Sequence, residues 1–211
     1  MEHHRLVCRG EKLRRLIREN IPNLKRPTGN GRAFDFENDP MPELNDNAAS
    51  RLCAACGMCC NGVLFHGMQV QTQDSLRSLA SKGLKPKRRD GDLFFPQPCP
   101  AHQDSCCKIY NDRPQRCRAF VCKQLAAVLD SKKTEAAALE KIGEARVLTA
   151  EIFDLLAALG DSRDHRALAV RFAGIFTPPL DSSPEATRLR EVLRVAMEKL
   201  DRLLNMDFRT P

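Results

Sequence analysis

Nine of the ten cysteines fall within residues 53–122, and four of them occupy eight consecutive positions in the stretch CAACGMCC. With their spacing they read Cys53-x2-Cys56-x2-Cys59-Cys60, then Cys99-Pro100, Cys106-Cys107, Cys117 and Cys122. A chain of 211 residues can build an ordinary core and does not need disulfides to fold. The clustering therefore indicates metal ligands or redox groups rather than buried structural thiols. Cys8 lies apart and is interpreted as a small hydrophobic residue.

The x2 spacing has a physical reason. A tight turn lets two thiolates two residues apart converge on one ion, while backbone N–H groups point at the sulfurs. Ala54, Ala55 and Gly57 are small enough for the chain to wrap closely, and glycine tolerates a positive φ. Adjacent cysteines such as Cys59 and Cys60 rarely serve the same tetrahedral ion, because their side chains diverge. The doublet suggests two metal sites that share a loop, or one site with a neighbouring free thiol.

The spacing leaves the identity of the metal open. Three cysteines spaced x2, x2 are similar to the start of a bacterial ferredoxin run, and Cys99-Pro100 repeats its Cys-Pro ending. This slightly favours an iron–sulfur cluster. A zinc site more usually shows two separated CxxC pairs, but a four-cysteine zinc site tolerates long loops between its ligands. We expect zinc or iron, in one or two centres.

These residues carry a family resemblance. With CAACGMCC, then PCP at 98–100 and CKIYNDRPQRCRAFVC at 107–122, the chain resembles the CxxCxxCC (YkgJ-type) cysteine-cluster family over roughly residues 48–125. Members are described as zinc- or iron-chelating domains, so the resemblance implies a metal-binding protein. Because residues 48–125 offer no larger apolar core, we expect the metal to organise the fold of this segment. The ligands that the resemblance implies are Cys53, Cys56, Cys59, Cys60, Cys99, Cys107, Cys117 and Cys122. Cys106 is an extra thiol beside Cys107, which leaves the ligand in that doublet open.

Other side chains are expected close to the ligands. Arg113 and Arg118 are expected to donate hydrogen bonds to thiolate sulfur or to loop carbonyls, and Tyr110 to pack and make one hydrogen bond. His66 and His102 are candidates to complete a coordination sphere, since imidazole suits zinc. For both histidines, however, we favour a place at the surface or behind the ligands.

The expected fold is mainly α-helical, with an irregular cysteine-rich metal-binding segment and a small β-hairpin packed on C-terminal helices. The predicted regions are a basic N-terminal helix (1–21), a linker (22–47), a cysteine-cluster domain (48–131) and a helical C-terminal region (132–211). Within them, apolar periodicity and capping residues predict helices from Thr72 to Gly83, from Ala119 to about Ser131, over 134–159, over 164–175 and after Ser183. The hairpin is predicted to pair Leu93–Phe95 with residues 107–110.

The charge distribution bears on possible partners. The net charge is +7, and residues 48–133 carry fourteen basic and six acidic side chains. Eight thiolates around two divalent ions would add about −4, so this basic excess is weak evidence for nucleic acid. With 5% aromatic residues and no tryptophan, there is also little to stack on bases. The sequence therefore argues against a nucleic-acid partner and indicates no particular protein partner.

Hydropathy and the first residues bear on location. The sequence contains no apolar run near the length of a membrane span, and its first twenty residues lack the apolar centre of a signal peptide. We therefore expect a cytoplasmic protein that does not enter a membrane.

Other functions remain compatible with the sequence. An iron–sulfur-dependent enzyme for group transfer or redox chemistry would need a substrate pocket beside the cluster. A zinc-dependent nucleic-acid or protein-binding module predicts salt-sensitive association. Metal delivery or storage predicts fast exchange with chelators.

Overall fold

The computed structural model describes residues 48–103, 106–178 and 180–210. The predicted basic helix, the linker and Cys8 lie outside these ranges. The described helices are α1 (Ala48–Cys56), α2 (Leu76–Ser81), α3 (Gln115–Ala119), α4 (Lys123–Leu129), α5 (Glu135–Ala158), α6 (Leu168–Ile175) and α7 (Pro184–Asp207). The strands are β1 (Gly67–Gln69), β2 (Lys87–Arg89), β3 (Asp92–Pro96), β4 (His102–Gln103) and β5 (Cys106–Cys107), and a 3-10 turn covers Tyr110–Asp112. The mainly helical fold class is confirmed, and none of the described helices has the length and apolarity that crossing a bilayer requires.

The two long helices, α5 and α7, form the main core. Their buried side chains follow helical spacing, with Ile152 and Leu156 on α5 facing the cluster that holds Leu193 and Leu200 of α7. Both helices begin where the sequence predicts. The Ala137 N–H donates to the Thr134 hydroxyl and the Ala186 N–H to the Ser183 hydroxyl, each at 3.2 Å.

Helix α1 packs on α5 and brings the first cysteines onto the helical core. Leu52 and Ala55 are buried in the same cluster as α5 and α7. Arg51 donates from Nε and Nη2 to the two carboxylate oxygens of Glu135, at 2.7 and 2.8 Å. Since Glu135 is the first residue of α5, this two-point ion pair fixes α1 against the start of that helix.

The rest of the cysteine-rich segment contains two small antiparallel sheets. The first has strand order β1-β3-β2, and the second pairs β4 with β5. A second, smaller core lies beside them, made by Leu79, Leu84, Phe95 and Ala101. The predicted hairpin is therefore wrong in its partners. Phe95 pairs with Met68, and Cys107 pairs with His102, because β3 is taken up by β1 on one edge and by β2 on the other.

Three predicted helices have different bounds. The helix predicted over 164–175 begins only at Leu168, because the Arg166 N–H donates to the Arg163 carbonyl at 2.9 Å and closes a turn before α6. Thr72 does not start α2. The Asp74 carboxylate accepts from the Gln71 N–H at 2.9 Å and holds a turn, so the helix begins only after Ser75, whose hydroxyl is the cap. The helix predicted from Ala119 begins only at Lys123, as α4, because Ala119 ends α3 and Phe120 adopts extended backbone between the two helices. Its ring packs edge-on against Phe65, with the ring centroids 5.0 Å apart.

Candidate metal centre

The loop after α1 winds the CAACGMCC cysteines around Gly57. Gly57 has φ +63°, and its N–H donates to the Cys53 carbonyl at 2.9 Å, while its own carbonyl accepts from the Cys60 N–H at 2.9 Å. Met58 is almost fully buried and anchors the loop in the helical core. A left-handed residue at this position reverses the chain directly after α1. The reversal turns the peptide toward the segment that carries Cys99.

Four cysteines lie on the side of the helical core, and we name them the helix-side group: Cys53, Cys56, Cys59 and Cys122. Three of them, Cys56, Cys59 and Cys122, pack directly against the core of α1, α4 and α5. Cys122 precedes the first residue of α4. The loop after α1 and the start of α4 thus meet on one core, although 62 or more positions separate Cys122 from Cys53, Cys56 and Cys59 in the sequence.

Four other cysteines lie toward the sheets, and we name them the sheet-side group: Cys60, Cys99, Cys107 and Cys117. The Cys99 N–H donates to the Cys60 carbonyl at 2.7 Å, and Cys99 packs on the small core. The His102 N–H donates to the Cys99 carbonyl at 3.0 Å, and His102 pairs with Cys107 across the second sheet. On α3, the Cys117 thiol lies 2.9 Å from the Met68 sulfur of β1.

The helix-side thiols interact electrostatically. Burial raises the pKa of Cys53 to about 11 and that of Cys56 to about 12, and a neighbouring Cys122 thiolate adds to both shifts. Burial likewise raises the pKa of Cys59, with further contributions from Cys56, Cys60, Cys53 and Cys122. Although the Cys53 residue is exposed, the protein atoms around its sulfur still disfavour the thiolate. These thiols are protonated at neutral pH unless a cation stabilises their charge.

The sheet-side thiols show the same behaviour. Burial raises the pKa of Cys60 well above its usual range, and the neighbours that add to the shift are Cys99, Cys107 and Cys117, followed by Cys53. Burial also raises the pKa of Cys117 to about 12, with Cys99 and Cys107 adding to it. The pKa values of Cys99 and Cys107 rise for the same first reason. Ionisation of one of these thiols therefore opposes ionisation of others in the group.

The two members of the second doublet have different environments. Cys106 is buried at 6% exposure within the helical core, whereas Cys107 is partly exposed among the sheet-side thiols. Burial raises the pKa of Cys106 to about 12, and the neighbouring Cys107 adds to this shift while Lys108 opposes it. The alternation of side chains along a strand explains the difference, because consecutive residues point to opposite faces.

Arginine and tyrosine side chains lie beside the thiols. Arg113 donates from Nε to the Tyr110 carbonyl at 2.9 Å, and its guanidinium lies 3.7 Å from the centroid of the Tyr110 ring. The Tyr110 hydroxyl makes one hydrogen bond, 3.0 Å in length, with the buried Ser50 hydroxyl. The Arg113 cation lowers the pKa of Cys53, against the larger effect of burial, and it acts in the same way on Cys107 and Cys117. Its charge therefore acts on thiols of both groups.

Two arginines differ from what the sequence suggests. Arg118 is exposed and donates to the Gln115 side chain at 3.0 Å. Arg146 of α5, which sequence reasoning missed, donates to the Ala55 carbonyl at 3.0 Å and lies close enough to Cys56 to lower its pKa against burial. A signal was available, because Arg146 follows Ile142 by four positions and is therefore on the helix face that the apolar stripe buries.

The two candidate histidines occupy different places. His66 is exposed, and its backbone carbonyl accepts from the Gln97 N–H. His102 lies against the CAACGMCC loop, where its ring is 3.2 Å from the position that a Cβ on Gly57 would take. Burial lowers the pKa of His102, so its imidazole is neutral at pH 7. His102 is thus the histidine that supports the loop.

The donor chemistry of the two groups fits zinc or iron. All nine cysteines among the described residues are free, and thiolate sulfur is the ligand that zinc and iron prefer over calcium or magnesium. Within the described ranges, no three histidine, cysteine, aspartate or glutamate side chains already stand at the spacing of a metal site. The thiols are therefore neighbours that act on one another electrostatically but do not stand at ligand spacing. Binding of a cation would offset the free-energy cost of ionising them.

Comparison with known proteins adds one match to this geometry. No curated protein and no solved structure matches the chain. The family match begins in α1, spans both cysteine groups and ends within α5. Residues 52–142 match the model of the CxxCxxCC family, whose description is "Putative zinc- or iron-chelating domain".

Proposed function

We propose that the cysteine-rich segment is a structural metal domain that holds zinc or iron through eight thiolates and depends on the metal for its fold. The proposed ligands are Cys53, Cys56, Cys59, Cys60, Cys99, Cys107, Cys117 and Cys122. The observation that carries the proposal is the gathering of these eight thiols, from segments up to 69 positions apart, into two adjoining groups of free cysteines. Metal chelation by this segment agrees with the matching family model.

The composition of the segment supports a structural role. Its own apolar core consists of four buried residues, Leu79, Leu84, Phe95 and Ala101, and its strands are two to five residues long. So small a core and such short strands cannot offset the conformational entropy of ordering the segment. Metal–thiolate bonds would then supply much of the folding free energy. For the ligand in the second doublet we choose Cys107, because Cys106 is turned into the helical core.

An iron–sulfur cluster is the second candidate, favoured by the x2, x2 spacing of Cys53, Cys56 and Cys59. The enzymatic form of this candidate has less support. A cavity of about 310 Å³ lies between the end of α5, α6 and the start of α7, and no cysteine lines it. The nucleic-acid alternative would depend on the basic, exposed strand β2. One of its cations is already engaged within the protein, because the Arg88 guanidinium donates to the Gly91 carbonyl of the adjoining turn.

Metal content and the visible spectrum of protein purified without oxygen test the proposal. We expect zinc or iron bound in stoichiometric amount. A colourless zinc protein supports the structural domain, and a brown protein with iron and acid-labile sulfide supports the cluster. A matched variant with serine at the eight proposed positions is expected to lose the metal, whereas Cys106→Ser retains it. A protein that carries neither metal, or an eight-serine variant that binds as much as the parent, would contradict the proposal.

A further inference from the structure

The eight thiols divide between two separate packing environments. In the helix-side group, Cys56, Cys59 and Cys122 pack on the core of α1, α4 and α5. In the sheet-side group, Cys99 packs on the core made by Leu79, Leu84, Phe95 and Ala101. The two cores are separate clusters of buried side chains, so Cys99 is held by a different part of the fold from Cys56, Cys59 and Cys122.

The boundary between the groups falls within a cysteine doublet. The Cys60 carbonyl accepts from the Cys99 N–H at 2.7 Å, which ties Cys60 to the sheet side, while the preceding residue Cys59 packs on the helical core. Contacts join the other sheet-side cysteines to the two sheets. The His102 N–H donates to the Cys99 carbonyl at 3.0 Å and His102 pairs with Cys107, while the Cys117 thiol lies 2.9 Å from the Met68 sulfur of β1.

Each group contains the number of ligands that one tetrahedral ion requires. Structural zinc sites are almost always four-coordinate, and four thiolates complete such a sphere without sharing a sulfur between ions. Four thiolates and one divalent ion carry a net charge of about −2, so two such sites side by side repel each other. The Arg113 cation, which acts on Cys53 of one group and on Cys107 and Cys117 of the other, is placed to offset this repulsion.

We propose that the helix-side group and the sheet-side group are two independent tetrathiolate sites, each of which binds one soft divalent ion of the size of zinc. The inference rests on the proposed metal-binding function and adds the number of ions and the assignment of each ligand. The peptide bond between Cys59 and Cys60 separates the two sites, and neither site shares a sulfur with the other.

Cadmium-113 NMR of the full-length chain, loaded with ¹¹³Cd²⁺ as a spectroscopic substitute, tests this inference. We expect two ions per chain and two resonances in the region of cadmium bound by four thiolates. Neither resonance should show ¹¹³Cd–¹¹³Cd coupling, because such coupling requires a bridging sulfur. A single bound ion, or mutual splitting of the two signals, would overturn two independent sites but leave metal binding intact. Failure to bind cadmium, zinc or iron would instead overturn the proposed function.

Single variants assign the signals. Cys53→Ser, at an exposed position, is expected to abolish the helix-side resonance alone, and Cys99→Ser the sheet-side resonance alone. Cys106→Ser, outside both groups, should retain both resonances. Loss of both resonances in Cys53→Ser, with the helical circular dichroism unchanged, would indicate one interdependent centre and contradict the proposal.

Discussion

Gly57 combines two requirements that only glycine meets. Its φ of +63° lies in the left-handed region, and a Cβ at this position would come within 3.2 Å of the His102 ring. A left-handed conformation costs an ordinary L-residue roughly 1–2 kcal/mol. The residue therefore shapes the loop that presents Cys59 and Cys60.

We expect Gly57→Ala to lower the free energy of unfolding by about 2 kcal/mol, through backbone strain and contact with the ring. Denaturant unfolding of the metal-loaded protein measures the change. Gly83→Ala is the matched control, because Gly83 has φ +87° and nothing within 4 Å of a Cβ, so it reports strain alone. Equal losses in the two variants would show that contact with His102 contributes nothing.

Arg146 is a buried cation beside Cys56, and we expect it to stabilise the thiolate that a metal requires. Arg146→Met removes the charge and retains most of the volume. We predict a loss of metal affinity of about tenfold or more, in the range typical of residues that support metal ligands. Competition with a chromogenic chelator measures the affinity, and Arg194→Met, on the exposed face of α7, is the control. Unchanged affinity in Arg146→Met would contradict this role.

At the scale of elements, apolar contacts, the Arg51–Glu135 ion pair and the hydrogen bond from Arg146 to the Ala55 carbonyl hold α1 on α5. The Arg51 and Glu135 side chains are 29% and 24% exposed, so water screens their attraction only in part. The pair holds together two helices that begin 87 positions apart. It therefore helps to orient the first cysteines relative to the helical core.

A double-mutant cycle with Arg51→Ala and Glu135→Ala is expected to give a coupling free energy of about 0.5–1 kcal/mol, at the upper end for partly exposed pairs. Thermal or denaturant unfolding of the four proteins measures it. The same cycle on Arg194 and Glu191, which are neighbours on the exposed face of α7, should give a smaller coupling free energy. A coupling near zero for Arg51 and Glu135 would mean that this ion pair does not help to position α1.

Elements were predicted well where their signals are local. The Thr134 and Ser183 caps and the apolar stripes of α5 and α7 lie within a few residues of the bonds they make, and the predicted starts agree with the structure. The hairpin was wrong because strand pairing depends on which edges are free, and β1 and β2 occupy both edges of β3. The predicted start of α2 was wrong because Asp74, whose carboxylate holds the turn before the helix, also accepts from the Gln115 N–H at 2.7 Å. Gln115 lies 41 positions away in the sequence, so this contact has no local signal.

At the scale of the whole molecule, the protein has two parts with different sources of stability. The helices α5 and α7 share a continuous apolar core, whereas the sheets and α2 have a small core and, under the proposed function, would depend on the metal. We expect removal of the metal by a chelator to increase hydrogen exchange at residues 57–122 and to leave α5 and α7 protected. Hydrogen exchange read by mass spectrometry measures both regions at once. Uniform loss of protection would indicate one cooperative unit.

The affinity for metal is also expected to depend on pH. Burial raises the pKa of Cys53 to about 11 and that of Cys56 and Cys117 to about 12, so these thiols carry protons at pH 7 in the metal-free protein. Each ligand must release its proton to bind, and affinity therefore rises with pH and falls on acidification. Titrations with zinc between pH 6 and pH 8 should show this direction and the release of protons into a weak buffer. An affinity independent of pH would contradict protonated free thiols.

The sequence by itself determined the chemistry and the local structure. The thiols, their x2 spacing, the helix caps and the apolar periodicity act over a few residues, where covalent connectivity already places the interacting groups together. Only the tertiary structure decided that Cys122 joins the loop after α1, that Cys106 enters the core while Cys107 does not, and that Arg146 approaches Cys56. These contacts join segments far apart in the chain, and they form only where the packing of two separate cores brings those segments together.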